Sequence, residues 1–162
     1  MGGFRARNRA DESGAAMIEL ALVLILLVML LVGTVTAAIA FGRGNSIQNA
    51  AREASRYAAT RDEVASHLNE VIQVVKAASS GALNTSAPGY YVCVAYVNGV
   101  ANVRAIEGST PTLPGDNSCY ADGRPATEAR IQVIAGRETT INAIVFSTDV
   151  PLSAEAAARY ER

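Results

Sequence analysis

Residues 15–42 have the sequence AAMIELALVLILLVMLLVGTVTAAIAFG, and the rest of the chain is organised around this stretch. Glu19 is the only charged residue in it. A helix of about 20 predominantly apolar residues is enough to cross a bilayer. The stretch can therefore span a membrane and still project beyond it, and we expect one membrane-spanning helix near the N-terminus.

The charges before this stretch predict how it is oriented. Arg5, Arg7 and Arg9 lie within the short flank that counts for the positive-inside rule. They predict a cytoplasmic N-terminus and an extracytoplasmic C-terminal part, that is, a single-pass cell-membrane protein. Arg43 and two further arginines follow the stretch and weaken this asymmetry.

A secretory signal peptide is the competing interpretation of the same region. Residues 38–40 (Ala-Ile-Ala) fit the small-residue cleavage pattern. The apolar core of a signal peptide, however, is only about 7–15 residues long. The unbroken apolar run here is longer, which favours a retained helix over cleavage after Ala40.

Glu19 needs an explanation, because an ionised carboxylate in hydrocarbon costs roughly 2.5–3.5 kcal/mol on insertion scales. It could simply lie at the headgroup level and reach towards water. Alternatively, if the chain were cut between Gly14 and Ala15, Glu19 would become the fifth residue, one helical turn from the new ammonium group. In a bundle, the amine of one chain could then neutralise Glu19 of its neighbour.

Three parts of the sequence resemble one family. Gly14-Ala-Ala-Met-Ile-Glu19 resembles the cleavage site of type IV prepilins. The longer string through Leu24, together with residues 40–43 and 47–58, is similar to the start of TadE-like proteins of the tight-adherence (Tad) pilus system. Residues 156–161 resemble the usual end of that family, while the middle of the chain matches it poorly. The proline often found in the apolar run of the family is missing here.

The resemblance implies a structural subunit with no catalytic residue, no metal and no other cofactor. It implies cleavage by a prepilin peptidase between Gly14 and Ala15, with Glu19 as the residue that sets register during assembly. The implied partners are that peptidase, other pilin-like subunits and the assembly platform in the membrane, and the implied location includes a surface pilus. The size of the chain favours a minor subunit, and a net charge of −1 does not point to nucleic acid.

The remaining sequence predicts an α+β domain. After a break near Thr60, residues 60–63 match a capping box, and apolar residues from Val64 to Val75 recur at helical spacing. We expect an amphipathic helix over residues 61–78, ended by Ser79-Ser80-Gly81.

Two β-hairpins are expected after that helix, forming a small antiparallel sheet that the helix covers. The first pairs residues 90–97 with 100–106 through Asn98-Gly99, a strong turn signal. A long loop, 107–127, follows. The second hairpin pairs residues 129–135 with 139–146 through a turn at residues 136–138. The predicted divisions are a leader (1–14), an assembly helix (15–59) and an extracytoplasmic domain (60–162).

Cys93 and Cys119 are the two cysteines, and they do not form a CxxC motif. In an oxidising compartment this pair predicts a disulfide, with one buried and one exposed thiol as the alternative. The chain carries no nucleophile, metal-ligand or nucleotide-binding signature. His67, the single histidine, is assigned no role.

Three function classes remain open after the sequence is read. The chain could be a cleaved pilin-like subunit beginning at Ala15, or an uncleaved membrane-anchored binding domain. The third possibility is a secreted module or enzyme beginning at Phe41. The mature N-terminus separates all three.

Overall fold

A computed structural model of the protein describes residues 9–61, 65–97, 103–109, 128–142 and 146–159. The elements, in chain order, are α1 (Arg9–Ala59), α2 (Ala65–Ala78), β1 (Tyr91–Val97), β2 (Val103–Gly108), β3 (Arg130–Asn142) and β4 (Ser147–Arg159). Among the described residues, the strands form an antiparallel sheet in the order β2-β1-β3-β4. The predicted α+β class, with a long N-terminal helix, a second helix and an antiparallel sheet, is confirmed.

The first helix is continuous and has two halves with different surroundings. It continues without a break through Ser46, whose hydroxyl donates to the Gly42 carbonyl oxygen one turn back, at 3.2 Å. Side chains from Gly14 to Ile39 are exposed or half-buried. The second half contributes five fully buried side chains to the core of the domain: Ile47, Ala50, Ala51, Ala54 and Ala58. The folded core thus extends back into residues that the predicted divisions placed in the assembly helix.

The second helix begins at Ala65 in the described residues, and residues 62–64 of the predicted capping box lie outside them. The Thr60 hydroxyl donates instead to the Tyr57 carbonyl oxygen at 2.8 Å, at the end of α1. The predicted end of the helix is confirmed: α2 stops at Ala78. The Ser79 hydroxyl then accepts the Leu83 N–H at 3.1 Å and stabilises the following turn.

The first hairpin pairs β1 with β2, but not in the register that a two-residue Asn98-Gly99 loop would give. Such a loop would place Tyr96 opposite Ala101, whereas Tyr96 lies opposite Val103. The turn itself, residues 98–102, lies outside the described residues. A shift of two residues keeps every side chain on its own face of the sheet, so hydrophobic patterning alone does not exclude it.

The second hairpin differs from the prediction. Residues 136–138 do not form a turn: β3 runs straight through them. Residues 139–142 of the predicted return strand (139–146) are its continuation, and residues 143–145 lie outside the described residues. Gly136 is required for close approach, since a Cβ there would lie 2.7 Å from the Leu152 carbonyl oxygen. Besides pairing with β1, β3 forms the second hairpin with β4, a strand that the sequence did not predict.

The two helices lie side by side on one face of the sheet. α1 contacts β3 and β4, and α2 contacts β1 and β2, so the sheet is covered by both helices and not by α2 alone. The predicted apolar face of α2 is buried in this contact: Leu68, Val71, Ile72 and Val75 are at most 2% exposed. The opposite face of β1 and β3 holds a smaller buried cluster formed by Cys93, Ala95 and Ile134.

Candidate functional site

The first half of α1 is an apolar surface that the folded domain leaves uncovered. Its large aliphatic side chains are largely exposed, with Leu30 at 69% and Leu31 at 55%. In the described part of the chain, α1 is the helix long and apolar enough to cross a membrane, and its most apolar window, of mean hydropathy 3.0, is unburied. An exposed apolar surface of this size indicates membrane anchoring or association with other apolar helices.

Gly14, Ala15 and Glu19 lie together at the start of this surface. Ala15 and Glu19 are one helical turn apart on the same side of α1, a rise of about 6 Å. Glu19 is exposed and borders a shallow surface groove with Ala16, Leu20 and Val23. A Cβ built at Gly14 would meet nothing within 4 Å, so the backbone at the predicted cleavage site is uncrowded.

The two predicted disulfide partners are not both described. Cys93 lies in β1 and is fully buried on the face of the sheet away from the helices. Cys119 lies outside the described residues. The Cys93–Cys119 bond therefore stays a prediction, and Cys93 is remote in the chain from the group around Glu19.

The sequence did not reveal how closely the β3–β4 hairpin follows α1. The Thr36 hydroxyl lies 3.3 Å from the Asn142 carbonyl oxygen, at the end of β3. Two carbonyls of its own helix, those of Gly33 at 3.0 Å and Val32 at 3.1 Å, compete for the same proton. The contact thus shows where the hairpin lies and adds little energy. This contact could not be predicted, because β3 reaches Asn142 by pairing with β4, and the composition of β4 did not indicate a strand.

A polar surface groove runs beside the contact between α1 and β4. Arg52 and Arg56, one turn apart on α1, border it together with Glu155 of β4. Asn49 and Glu53 border the adjoining groove along the same helix face. These grooves carry both positive and negative charges, and their residues do not indicate a particular class of ligand.

A second polar cluster joins α2 to the sheet. Glu107 Oε1 accepts hydrogen bonds from Lys76 Nζ at 2.7 Å and from the Tyr90 hydroxyl at 3.0 Å. The bond from Lys76 is the main cause that lowers the pKa of the Glu107 carboxyl. Burial, followed by the bond to Glu107, raises the pKa of Tyr90. This cluster holds elements together and presents no nucleophile.

Within the described residues, no group of three or more His, Cys, Asp or Glu side chains is placed to hold a metal ion. His67 lies on α2 and is half-buried. The expectation that the chain uses no cofactor stays a prediction.

Comparison with known proteins gives a family match that lies within α1. Residues 14–56 match the family model described as TadE-like protein. No curated protein and no solved structure matches the chain. The matched residues begin at Gly14 and end within the packed half of α1, so they contain the whole exposed apolar surface. Over residues 14–56 the chain is a match to the TadE-like family, as the resemblance of its N-terminal sequence indicated.

Proposed function

We propose that the protein is a pilin-like structural subunit, a minor one, needed to assemble a Tad-type adhesion pilus. The observation that carries the proposal is the combination of the TadE-like match over residues 14–56 with an α1 whose apolar half is left uncovered. That half first anchors the subunit in the membrane and then packs against the corresponding helices of other subunits. The sheet domain remains outside the helical bundle as the exposed part of the subunit.

Cleavage between Gly14 and Ala15 by a prepilin peptidase precedes assembly. Gly14 lies inside α1 in the uncut chain, so the peptidase has to unwind at least one turn to reach the peptide bond. Glycine lowers the cost of that step, because it destabilises a helix by roughly 1 kcal/mol relative to alanine. No neighbouring side chain crowds Gly14.

Glu19 then acts as the register residue. In one cleaved chain, the Ala15 ammonium and the Glu19 carboxylate are a helical turn apart, so two parallel helices offset by about one turn can pair them between chains. Such a pair removes an uncompensated charge from an apolar bundle and selects one axial offset over its neighbours. Buried polar groups fix register in this way in other helical assemblies.

The proposed partners are the prepilin peptidase, other pilin-like subunits and the membrane platform that assembles them. The proposed topology is a single pass with the basic N-terminus cytoplasmic and the sheet domain extracytoplasmic. We assign no nucleic-acid partner and no catalytic activity.

An uncleaved, membrane-anchored binding domain is the second candidate. One observation favours it: α1 begins at Arg9 and passes through the cleavage site without a break. Release after Ala40 is less compatible with the fold. Ala40 is only 5% exposed, and a cut there would divide α1 beside the residues that pack against the sheet.

The mature N-terminus tests the proposal. Intact-mass and N-terminal peptide analysis of the protein from its native host should identify Ala15 as the first residue. Replacing Gly14 with leucine should leave the leader attached and abolish recovery with pilus subunits. Gly33→Leu is the matched control, since Gly33 lies on the same helix with equally open surroundings and should not affect cleavage.

A mature protein that keeps residues 1–14 would contradict the proposal and favour the anchored binding domain. A protein beginning at Phe41 would contradict both. Cleavage that persists at Ala15 in the Gly14→Leu variant would exclude a prepilin peptidase as the enzyme.

A further inference from the structure

The β3–β4 hairpin extends beyond the packed domain and returns along α1 towards the membrane-spanning segment. Leu152 of β4 lies beside Gly44, with its Cδ2 atom 3.9 Å from a Cβ built there. Five residue pairs further along the hairpin, where Asn142 lies opposite Ser147, the Asn142 carbonyl oxygen lies 3.3 Å from the Thr36 hydroxyl. Ala40, between these two levels, is 5% exposed. The hairpin therefore covers a stripe of α1 down to Thr36.

The position of Thr36 can be compared with the membrane without knowing the exact depth of α1. The uncharged run after Glu19 ends at Gly42, and residues 15–42 are about 42 Å long as a helix. The hydrocarbon core takes about 30 Å of this, or about 20 residues. If the core began at Ala15, Thr36 would lie about 2 Å beyond it, at headgroup level. If the core ended at Gly42, Thr36 would lie about 9 Å inside it.

The end of the hairpin has the chemistry of a membrane-interface segment. Phe146, the last residue before β4, is 63% exposed. Apart from the side chains of α1, Phe146 and Ile106 are the large hydrophobic residues exposed in the described part of the chain. The sequence between Glu138 and Asp149 contains no charged residue. A solvated hairpin end would expose this apolar surface to water at a cost.

We propose that the end of the β3–β4 hairpin, at Asn142 and Phe146, lies in the lipid interface of the membrane that α1 spans. The occupant of this surface is the lipid headgroup and upper acyl-chain region on the side of the folded domain. Phenylalanine side chains of interfacial segments are buried at the boundary between headgroups and acyl chains, where the apolar ring is removed from water. The proposal needs α1 to span a membrane, but it does not depend on cleavage at Gly14 or on a pilus.

An exposed basic residue on α1, Arg43, agrees with this placement. Arg43 is exposed and is the first charge on α1 after the apolar run. Arg137 of β3 is close enough for Arg43 to act on it: burial, and then repulsion from Arg43, lowers the pKa of Arg137. Anionic headgroups attract basic side chains placed just outside the hydrocarbon. Arg43, about 10 Å along α1 from Thr36, lies on the headgroup side of Phe146. The Arg137 guanidinium is turned to the domain instead, since it donates to the carbonyl oxygens of Glu138 and Ala82.

Interfacial contact by the hairpin gives the domain a second membrane contact in addition to α1. A single helix can slide along its axis and rotate about it, because its apolar run is longer than the hydrocarbon is thick. A second apolar element fixed to the side of that helix resists both movements. It would hold the sheet domain at one height and with one face towards the membrane.

The test uses the full chain in nanodiscs of phosphatidylethanolamine and phosphatidylglycerol. The chain contains no tryptophan, so Phe146→Trp introduces a single fluorescent reporter at the hairpin end. Ile106→Trp is the matched control, on an exposed position of β2. Ile106 lies opposite Cys93, which lies opposite Ile134, about 26 Å along β3 from Asn142. Nanodiscs carrying lipids brominated near the headgroup end of the acyl chains then quench whichever tryptophan contacts them.

We expect the Phe146→Trp variant to emit at shorter wavelength than the Ile106→Trp variant and to be quenched several-fold more strongly by the brominated lipid. Ser147→Trp, at the neighbouring exposed position, provides a second reporter if Phe146→Trp disturbs the fold, which circular dichroism would reveal. Equal emission and equal quenching in the two variants would overturn the proposal. Blue-shifted emission from the hairpin-end tryptophan that brominated lipid does not quench would also overturn it, since a protein surface such as a second subunit would then cover the residue.

Discussion

Lys76 Nζ lies 2.7 Å from Glu107 Oε1 and joins α2 to β2, an edge strand of the sheet. The Tyr90 hydroxyl donates to the same carboxylate oxygen from the end of the preceding turn region. The bond from Lys76, aided by the one from Tyr90, lowers the pKa of Glu107 below its ordinary value of 4.5, although partial burial acts in the opposite direction. This contact is therefore a source of stability that depends on pH.

Acid should remove that stability. Since the pKa of Glu107 is lower in the folded chain, its contribution is complete above the unfolded-state pKa and is lost as pH falls through the folded-state value. Glu107→Gln should destabilise the full chain in detergent by about 1 kcal/mol at neutral pH, measured by urea unfolding. The difference from the unmodified protein should vanish in acid. Glu70→Gln, at an exposed position on α2, should have no effect at either pH, and a constant difference across pH would contradict the assignment.

Two glycines beside Leu152 should respond in opposite directions to alanine. At Gly136 an added Cβ would meet the Leu152 carbonyl oxygen and the Tyr91 ring, each at 2.7 Å, so Gly136→Ala should cost roughly 1–3 kcal/mol. At Gly44 the nearest atom is 3.9 Å away, and the residue lies inside α1, so Gly44→Ala should stabilise by roughly 0.5–1 kcal/mol. Thermal unfolding of both variants measures the difference. A neutral Gly136→Ala would mean that β3 and β4 can separate without loss.

The Cys93–Cys119 disulfide can be tested by alkylation. Protein purified from its native host without reductant, then unfolded to expose the buried Cys93, should incorporate no alkylating reagent until it is reduced. Cys119→Ser should lower stability by roughly 3 kcal/mol while leaving the helix–sheet contacts in place. Alkylation of both cysteines without reduction would contradict the prediction.

Glu19→Gln should separate assembly from insertion. The substitution removes one partner of the proposed pair and leaves the Ala15 ammonium uncompensated in an apolar bundle, a loss of roughly 3–5 kcal/mol per pair. Membrane insertion should be unchanged or slightly improved, because glutamine is less costly in lipid than an ionised glutamate. Recovery of partner subunits and surface piliation should fall, with the mature N-terminus verified in parallel. Normal piliation would contradict the register role and favour the interpretation in which Glu19 lies at the headgroup level.

The helices could be predicted from the sequence because their signals are local. The apolar run of α1 and the periodic face of α2 need no knowledge of distant residues. β1 was also predictable, being rich in valine and tyrosine. The register of the first hairpin was not predictable. The register expected from a turn at Asn98-Gly99 differs by two residues from the register that the sheet adopts.

β4 could not be predicted because its composition contradicts its structure. Residues 153–159 (SAEAAAR) favour a helix by propensity, and alanine and glutamate are depleted in strands. Tertiary contacts override that preference. Ala154 and Ala156 are each 8% exposed and share a hydrophobic cluster with Ala51 and Ala54 of α1. Small side chains on both elements let the helix lie close to the sheet. Without knowledge of β4, the glycine at position 136 indicated a turn and not a close approach between two strands.

The contact between α1 and β4 also sets the order in which the chain can fold. The alanines that meet there are separated by about 100 residues, which makes their contact slow to form. During synthesis α1 is complete long before β4, so the alanine-rich face of α1 stays uncovered until β4 has been made. A chain that stops short of β4 would leave that face exposed permanently and should be degraded. The domain thus completes its core only after residues 147–159 have been synthesised.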